Sequence, residues 1–267
     1  MKYLEFKPID PLSDHIQLIW ILESENSEDY YPREKILPDG IIEVIFHYKD
    51  PFVTYLSDGS KSIQPQGFAI SQMRRFIEIE SNGQIGFISI RFYPWGAYHF
   101  FNEPIKNFLD GTISLEKIWP KDYQNIISQL PKINDNEKVE LIQNYLLDKL
   151  SVYKKDSKVT DDTIKLIRNT KGLLSVEELS EKSGLSYKQL ERRFLSTLGT
   201  TPKIFSRISR FLHLCHNLKE YKSTSLSKLT YELGYFDQSH FIKEFKEFTS
   251  ITPKEFFEKH NISFADI

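Results

Sequence analysis

The spacing of apolar positions changes character near the middle of the chain. From about residue 4 to residue 95 the sequence is dense in Ile, Phe, Tyr and Val and broken by turn-forming residues, which predicts strands. Ile16–Glu23 and residues 41–48 read as two of them, the second following a Leu37-Pro-Asp-Gly40 turn. Residues 75–81 and 84–92 flank Asn82-Gly83, a pair suited to a two-residue hairpin turn, so these runs are expected to face each other. From Trp95 onward the period lengthens. Tyr98 to Phe101, Ile118-Trp119, residues 123–130 and the stripe Val139, Ile142, Tyr145, Leu146 and Leu150 predict helices. The last of these stripes is an attractive surface for a partner copy. Lysine-rich residues 153–159 read as a linker. The expected fold class is α+β, with a β-rich domain and its C-terminal helices over residues 1–152 and an all-α domain over residues 160–267.

Within the second domain one pattern is written twice. Ser175, Leu179 and Gly184 recur fifty positions later as Ser225, Leu229 and Gly234. Ser186, Leu190, Phe194 and Pro202 recur fifty-one later as Asp237, Phe241, Phe245 and Pro253, so the second copy carries one extra residue in its turn. An insertion in a turn with helical spacing kept on both sides is what a duplicated helix–turn–helix unit leaves behind. Ser175 with Glu178 makes a capping box, Gly184 ends that helix, and Ser186 caps the next, whose Leu190 and Phe194 face inward. Tyr187, Lys188, Glu191 and Arg192 are left on its outer face. In the second copy Asp237 caps, Phe241, Phe245 and Phe248 point in, and Gln238, Ser239, His240 and Lys243 point out. Such side chains near the start of a second helix reach base edges in a major groove. Thr201-Pro202 opens a connecting helix that would hold the two readers in fixed relation, and its Arg207 and Arg210 are expected at DNA phosphates or on plain surface.

These residues carry a resemblance. Leu179-Ser-Glu-Lys-Ser-Gly-Leu-Ser186, Gln189-Leu-Glu-Arg-Arg-Phe194, Gly199-Thr-Thr-Pro202 and Leu233-Gly-Tyr-Phe-Asp-Gln-Ser-His-Phe241 resemble the DNA-binding domain of the AraC/XylS family of bacterial transcription regulators. The resemblance implies a cytoplasmic regulator that binds double-stranded DNA through both units and contacts RNA polymerase, not an enzyme. Three departures bear on structure. Ser250 stands where the family usually has glycine, while Ser180 and Thr230 place hydroxyls where alanine is favoured, and buried hydroxyls need partners.

Charge agrees once it is divided. The whole chain of 267 residues carries a net charge of only −2, but residues 161–260 hold 17 Lys and Arg against 13 Asp and Glu, leaving an acidic remainder. A single cysteine excludes an internal disulfide, and the opening Met-Lys-Tyr-Leu-Glu is no secretory signal. No phosphate-binding glycine loop, His-Glu-x-x-His or Gly-x-Ser-x-Gly occurs, so neither a cofactor nor a bound metal is expected. His213 and His216 flank Cys215, which belongs to the inward stripe, and read as a solvated face.

The first domain resembles an N-terminal domain of uncharacterised function that precedes AraC-type readers, through Leu37-Pro-Asp-Gly-Ile-Ile-Glu43, Gly67 and Arg91-Phe-Tyr-Pro-Trp-Gly96. Such domains are β-rich, in some cases cupin-like barrels, and bind an effector or form homodimers. Trp20, Glu43, Phe46, His47, Arg91, Phe92, Trp95, Tyr98 and His99 would line an aromatic and polar effector pocket. In that pocket Arg91 would favour a carboxylate or phosphate. The alternative is that Glu43, His47 and Arg91 lie on a wet sheet face, the aromatics fill an ordinary core, and the domain dimerises or binds a protein with no small ligand.

Overall fold

The computed structural model describes residues 1–259 except positions 57, 71, 103, 109–110, 154 and 222–223. Ten strands come first: β1 Lys2–Phe6, β2 Ile16–Glu23, β3 Glu34–Ile36, β4 Glu43–His47, β5 Val53–Tyr55, β6 Lys61–Ile63, β7 Gly67–Ile70, β8 Ile77–Glu80, β9 Gly86–Phe92 and β10 Thr112–Ser114. They form two antiparallel sheets, one in the order β1-β2-β9-β4-β7-β10 and the other β3-β8-β5-β6. The β-rich expectation holds, but no continuous ladder closes a barrel among the described residues; the sheets face each other as a sandwich.

Strand alternation assigns each face of the larger sheet. Ile19 and Ile21 of β2, Val44 and Phe46 of β4, and Ile88, Ile90 and Phe92 of β9 point to one side. There they meet helices α1 (Leu115–Ile118), α2 (Tyr123–Gln129) and α3 (Asp135–Val152). Trp119 stacks between Phe46 and Phe101, and its Nε1 donates to the Phe100 carbonyl at 3.1 Å. Val139, Ile142 and Leu146 of α3 are buried against this sheet, so the stripe expected to offer a partner surface is spent inside the domain.

The expected hairpin does not form. β8 joins the small sheet between β3 and β5, while β9 lies in the large sheet between β2 and β4. Asn82-Gly83 therefore crosses from one sheet to the other. Asp50 takes the place of a hairpin partner, its carboxylate accepting from the Gln84 amide at 2.8 Å and its own amide donating to the Gln84 carbonyl at 3.0 Å.

The expected linker is short and pinned. Lys155 donates to the carbonyls of Tyr98 (2.9 Å) and Phe101, and Ser157 is buried against His99. Among the described residues eight helices follow: α4 Lys158–Asn169, α5 Val176–Ser183, α6 Tyr187–Leu198, α7 Pro202–His216, α8 Leu218–Tyr221, α9 Leu226–Glu232, α10 Gln238–Thr249 and α11 Pro253–Lys259. α7 separates two cores. Leu179, Leu190, Phe194 and Leu198 pack with Ile164, Ile167 and Phe205 on one side; Leu229, Phe241, Phe245 and Phe248 pack with Phe211 and Leu212 on the other.

Candidate DNA interface and inter-sheet cavity

The second helix of each unit is started by a cap. Ser186 Oγ accepts from the Gln189 amide and Gln189 Oε1 from the Ser186 amide (2.9 Å), the reciprocal pairing of a capping box. Asp237 Oδ1 accepts from the His240 amide at 2.7 Å to start α10. With the apolar stripes buried, Tyr187, Lys188 and Arg192 are exposed on α6, with Glu191 half-buried beside them. Gln238, Ser239, His240 and Lys243 are exposed on α10. Gln238 is not loose, since its amide donates to Ser227 Oγ on α9 at 2.6 Å. Two aromatic rings passed over in the sequence stand out beside this second unit: Phe236 in its longer turn is 94% exposed and Tyr231 on α9 is 84% exposed.

Arg207 and Arg210 are not laid out for phosphate. Arg207 Nε donates to Glu244 at 2.6 Å and its Nη2 to Glu247, and Arg210 lies 3.8 Å from Glu244 while donating to the Gly172 carbonyl. Glu244 is only 2% exposed and also accepts from the Tyr235 hydroxyl at 2.6 Å. Burial and the Glu244 charge push the Tyr235 hydroxyl pKa upward. A buried carboxylate requires such partners, so both arginines are recruited inward to fasten α10 onto α7. Glu244 follows Phe241 by three residues on the inward stripe, and an acid there was the signal that a cation must meet it. Ser180 and Thr230 also find partners, at the carbonyls of Leu185 and Leu226.

The opposite face of the large sheet looks onto the small sheet across a cavity of about 400 Å³. Trp20, Glu43, His47 and Arg91 all line it, because they share one strand phase with Leu18, Ile45, Phe68 and Phe87. Phe46 and Phe92 have the other phase and belong to the helix-covered core. Trp95 and Tyr98 do not reach the cavity, because β9 ends at Phe92 and the alternation ends with it. Trp95 instead stacks on Tyr93, donates to the Asp14 carbonyl at 3.0 Å and carries Lys165 of α4 over its ring. Tyr98 packs beneath Lys155. His99 faces α4, with Ser157 at 3.0 Å and Asp161 at 3.9 Å.

Arg91 is 6% exposed and already engaged, its Nη2 donating to Asp39 at 2.6 Å with Glu43 3.8 Å away. Asp39, which no site reading of the sequence included, is half-buried, its side chain 24% exposed, and desolvation in the cavity wall pushes its pKa up. Trp20 Nε1 (2.8 Å) and Ser89 Oγ (2.7 Å) both donate to Glu43 Oε1. His47 is buried with Nε2 at 3.0 Å from Gln64 Oε1, and burial lowers its pKa to about 4, so it is neutral near pH 7. Glu5 of β1 and Glu34 of β3 complete the walls with Tyr31 and Phe52, which lie in connecting segments where no strand alternation points them inward.

One wall serves two structures. Leu37 lines the cavity and is also part of the α7–α10 core. Gly40 adopts φ +72°, and a Cβ there would sit 3.2 Å from Phe205 and 3.3 Å from Ile208 of α7, so the loop fits closely onto that helix. Lys35 beside it donates to Ser250 Oγ at 2.6 Å and to the Thr249 carbonyl at 3.2 Å, at the end of α10. Ile77 and Met73 line both the cavity and a cleft shared with Ile204, Arg207 and Phe248.

Among the described residues no three His, Cys, Asp or Glu side chains gather as a metal site, and no helix is long and apolar enough to cross a membrane. Comparison with family models matches residues 4–114 to a domain of unknown function (DUF6597) and residues 179–259 to a helix-turn-helix domain. A search of the curated proteins found no match. Among solved structures, ToxT from Vibrio cholerae is 10% identical with a TM-score of 0.47, over 91% of this chain and 98% of that one. An unsaturated fatty acid bound ToxT from Vibrio cholerae strain SCE256 is 10% identical with a TM-score of 0.43, over 91% and 95%. The AraC-like transcriptional activator CuxR is 13% identical with a TM-score of 0.27, over 79% and 86%. With its duplicated, capped reading helices, the chain is a DNA-binding transcription regulator that carries an AraC-type helix-turn-helix domain behind a DUF6597 domain.

Proposed function

We propose that the chain is a sequence-specific, effector-responsive regulator in which α6 and α10 enter successive major grooves, roughly 34 Å apart, and the inter-sheet cavity holds a small molecule. On α6, Lys188 and Arg192 carry the base and phosphate contacts, with Tyr187 and Glu191 beside them. On α10 these roles fall to Gln238, Ser239, His240 and Lys243. The observation that carries the effector half is the shared wall: Leu37 and Asp39 border the cavity, while Leu37 and Gly40 meet the C-terminal helices on the other side. A ligand alters DNA affinity only if it binds one arrangement of that wall better than the other. Displacing Leu37 or Asp39 would shift the seat of α7 and α10, hence the spacing between the two readers.

The test needs an operator, which genome-wide mapping of bound sites supplies. On that operator an Ile45→Trp chain, its cavity filled, should differ from wild type in affinity by threefold or more while remaining folded. Equal affinity for filled and open cavities would remove the effector reading and leave a regulator whose first domain serves another partner.

A further inference from the structure

The cavity sorts its polar groups by sign. Four carboxylates (Glu5, Glu34, Asp39 and Glu43) line it against the single guanidinium of Arg91, which is itself held by Asp39 and Glu43. Arg168 of α4 is a second cation whose field reaches Asp39 and Arg91, but it does not line the space. Glu43 Oε1 accepts two hydrogen bonds, whereas among the described residues its Oε2 meets only Arg91 Nη1, at 3.8 Å and beyond hydrogen-bond reach. His47 offers an independent sign. Gln64 donates to Thr54 Oγ1 through its amide nitrogen, so its oxygen faces His47 Nε2 and makes that nitrogen the N–H. Nδ1 is then a bare acceptor on a side chain 1% exposed, without a partner among the described residues. At the Glu43 end, where Trp20 donates to that carboxylate, Tyr3 and Trp20 lie with ring centroids 5.7 Å apart and Trp20 meets Phe87 edge-on, aromatic surfaces that attract a cation.

Building on the effector reading, we infer that the cavity takes an apolar molecule bearing a cationic, hydrogen-bond-donating head such as a protonated amine, placed against Glu43 and Asp39, and that it disfavours carboxylates. An added anion would meet Glu43 and Asp39 with Arg91 already committed to them, whereas an ammonium would give Glu43 Oε2 a hydrogen bond that Arg91, 3.8 Å away, does not make. The volume lies within the ~300–1,000 Å³ range of small-molecule sites, and the remaining lining is aliphatic and aromatic. Nε of Arg91, a buried donor without a partner among the described residues, would meet a hydroxyl or carbonyl oxygen beside the amine.

Three probes with one body and different heads test this on the full chain: 4-phenylbutylamine, 4-phenylbutanol and 4-phenylbutyrate, followed by calorimetry. The amine should bind at least tenfold tighter than the acid. Glu43→Gln should bring the two within threefold of each other, and Glu5→Gln, at the exposed rim where misfolding is no concern, should narrow the gap in the same direction. An acid that binds as well as the amine, a gap unmoved by both variants, or no binding by any probe would overturn the assignment. Operator affinity measured with each probe separates the two readings. An amine that binds without altering DNA affinity keeps the ligand class and removes the effector role; an acid that binds and alters it does the reverse.

Discussion

The two helix–turn–helix units descend from one pattern but are anchored differently. The first meets the N-terminal domain on its helix-covered side: Trp95 packs into the core of α4 and α6, and Gly199, at the end of α6, lies against Ile105. None of these residues borders the cavity. The second unit meets the cavity side, through Leu37, Phe76 and Lys35, and is fastened to α7 by Glu244 with Arg207 and Arg210. On the proposed effector reading, a ligand between the sheets would act most directly on the second unit, reaching the first only through Gly40 against Phe205 of α7. Such a ligand would change their relative placing without either unit changing its own fold.

The largest expected contrast is between Glu244 and its counterpart fifty-one positions earlier, Arg193. Glu244→Ala leaves Arg207 and Arg210 facing an empty buried space and should cost about 3–5 kcal/mol in chemical denaturation, whereas Arg193→Ala should stay within about 0.5 kcal/mol. Comparable losses at both positions would erase the difference in anchoring.

Next in size is the response to acid. The folded pKa of His47 lies near 4, below its ordinary 6.5, so the neutral form belongs to the folded state. Its contribution is fully present above pH 6.5 and is lost as pH falls from 6.5 toward 4, on the order of 3 kcal/mol. Denaturation followed across that window should steepen for wild type and flatten for His47→Gln. An unchanged slope would mean that His47 does not titrate there.

DNA reading gives the third contrast. Arg192→Ala and Gln238→Ala should each weaken operator binding by about 1–3 kcal/mol while leaving random DNA nearly unaffected. Equal loss on both DNAs, seen in competition gel shifts, would mark the side chain as a backbone contact. Because Gln238 also donates to Ser227, Ser227→Ala should alter operator affinity in the second unit by a smaller amount.

The helix ends supply the smaller effects. Gly199 has φ +75°, and a Cβ there would lie 3.0 Å from Ile105 Cγ2 and 3.1 Å from its carbonyl oxygen, so Gly199→Ala should cost about 1–2 kcal/mol from the left-handed backbone alone. Ser250, its counterpart, holds φ +67° without being glycine and accepts from Lys35. Ser250→Gly relieves the backbone and removes that contact, so thermal melting should move by only a degree or two. A large shift of either sign would show that one of the two terms dominates.

How much of this was legible in the sequence follows from the range of the forces. Caps at Ser175, Ser186, Thr201, Ser225 and Asp237 are local hydrogen bonds, and each sits where the residue pattern placed it. Glu43, His47 and Arg91 were readable as one face because alternation along a strand is also local. The strain at Ser250 was visible from the family pattern and appears as a positive φ. What escaped was non-local. Asn82-Gly83 carries a hairpin's local preference, yet the chain there changes sheets, since β8 finds its partners in β3 and β5. Asp39 looked like a turn residue until Arg91, fifty-two positions away, claimed its carboxylate. Arg207 and Arg210 looked solvated until a buried glutamate on another helix drew them in.

The claim on which the account rests is that one chain reads DNA with two helices. Hydroxyl-radical and methylation-interference footprinting of the full chain on its mapped operator tests it most directly. The expected result is two protected major-groove segments of different sequence, about one helical turn apart, with Arg192→Ala clearing one and Gln238→Ala the other. A single protected segment, cleared by one substitution and indifferent to the other, would contradict it.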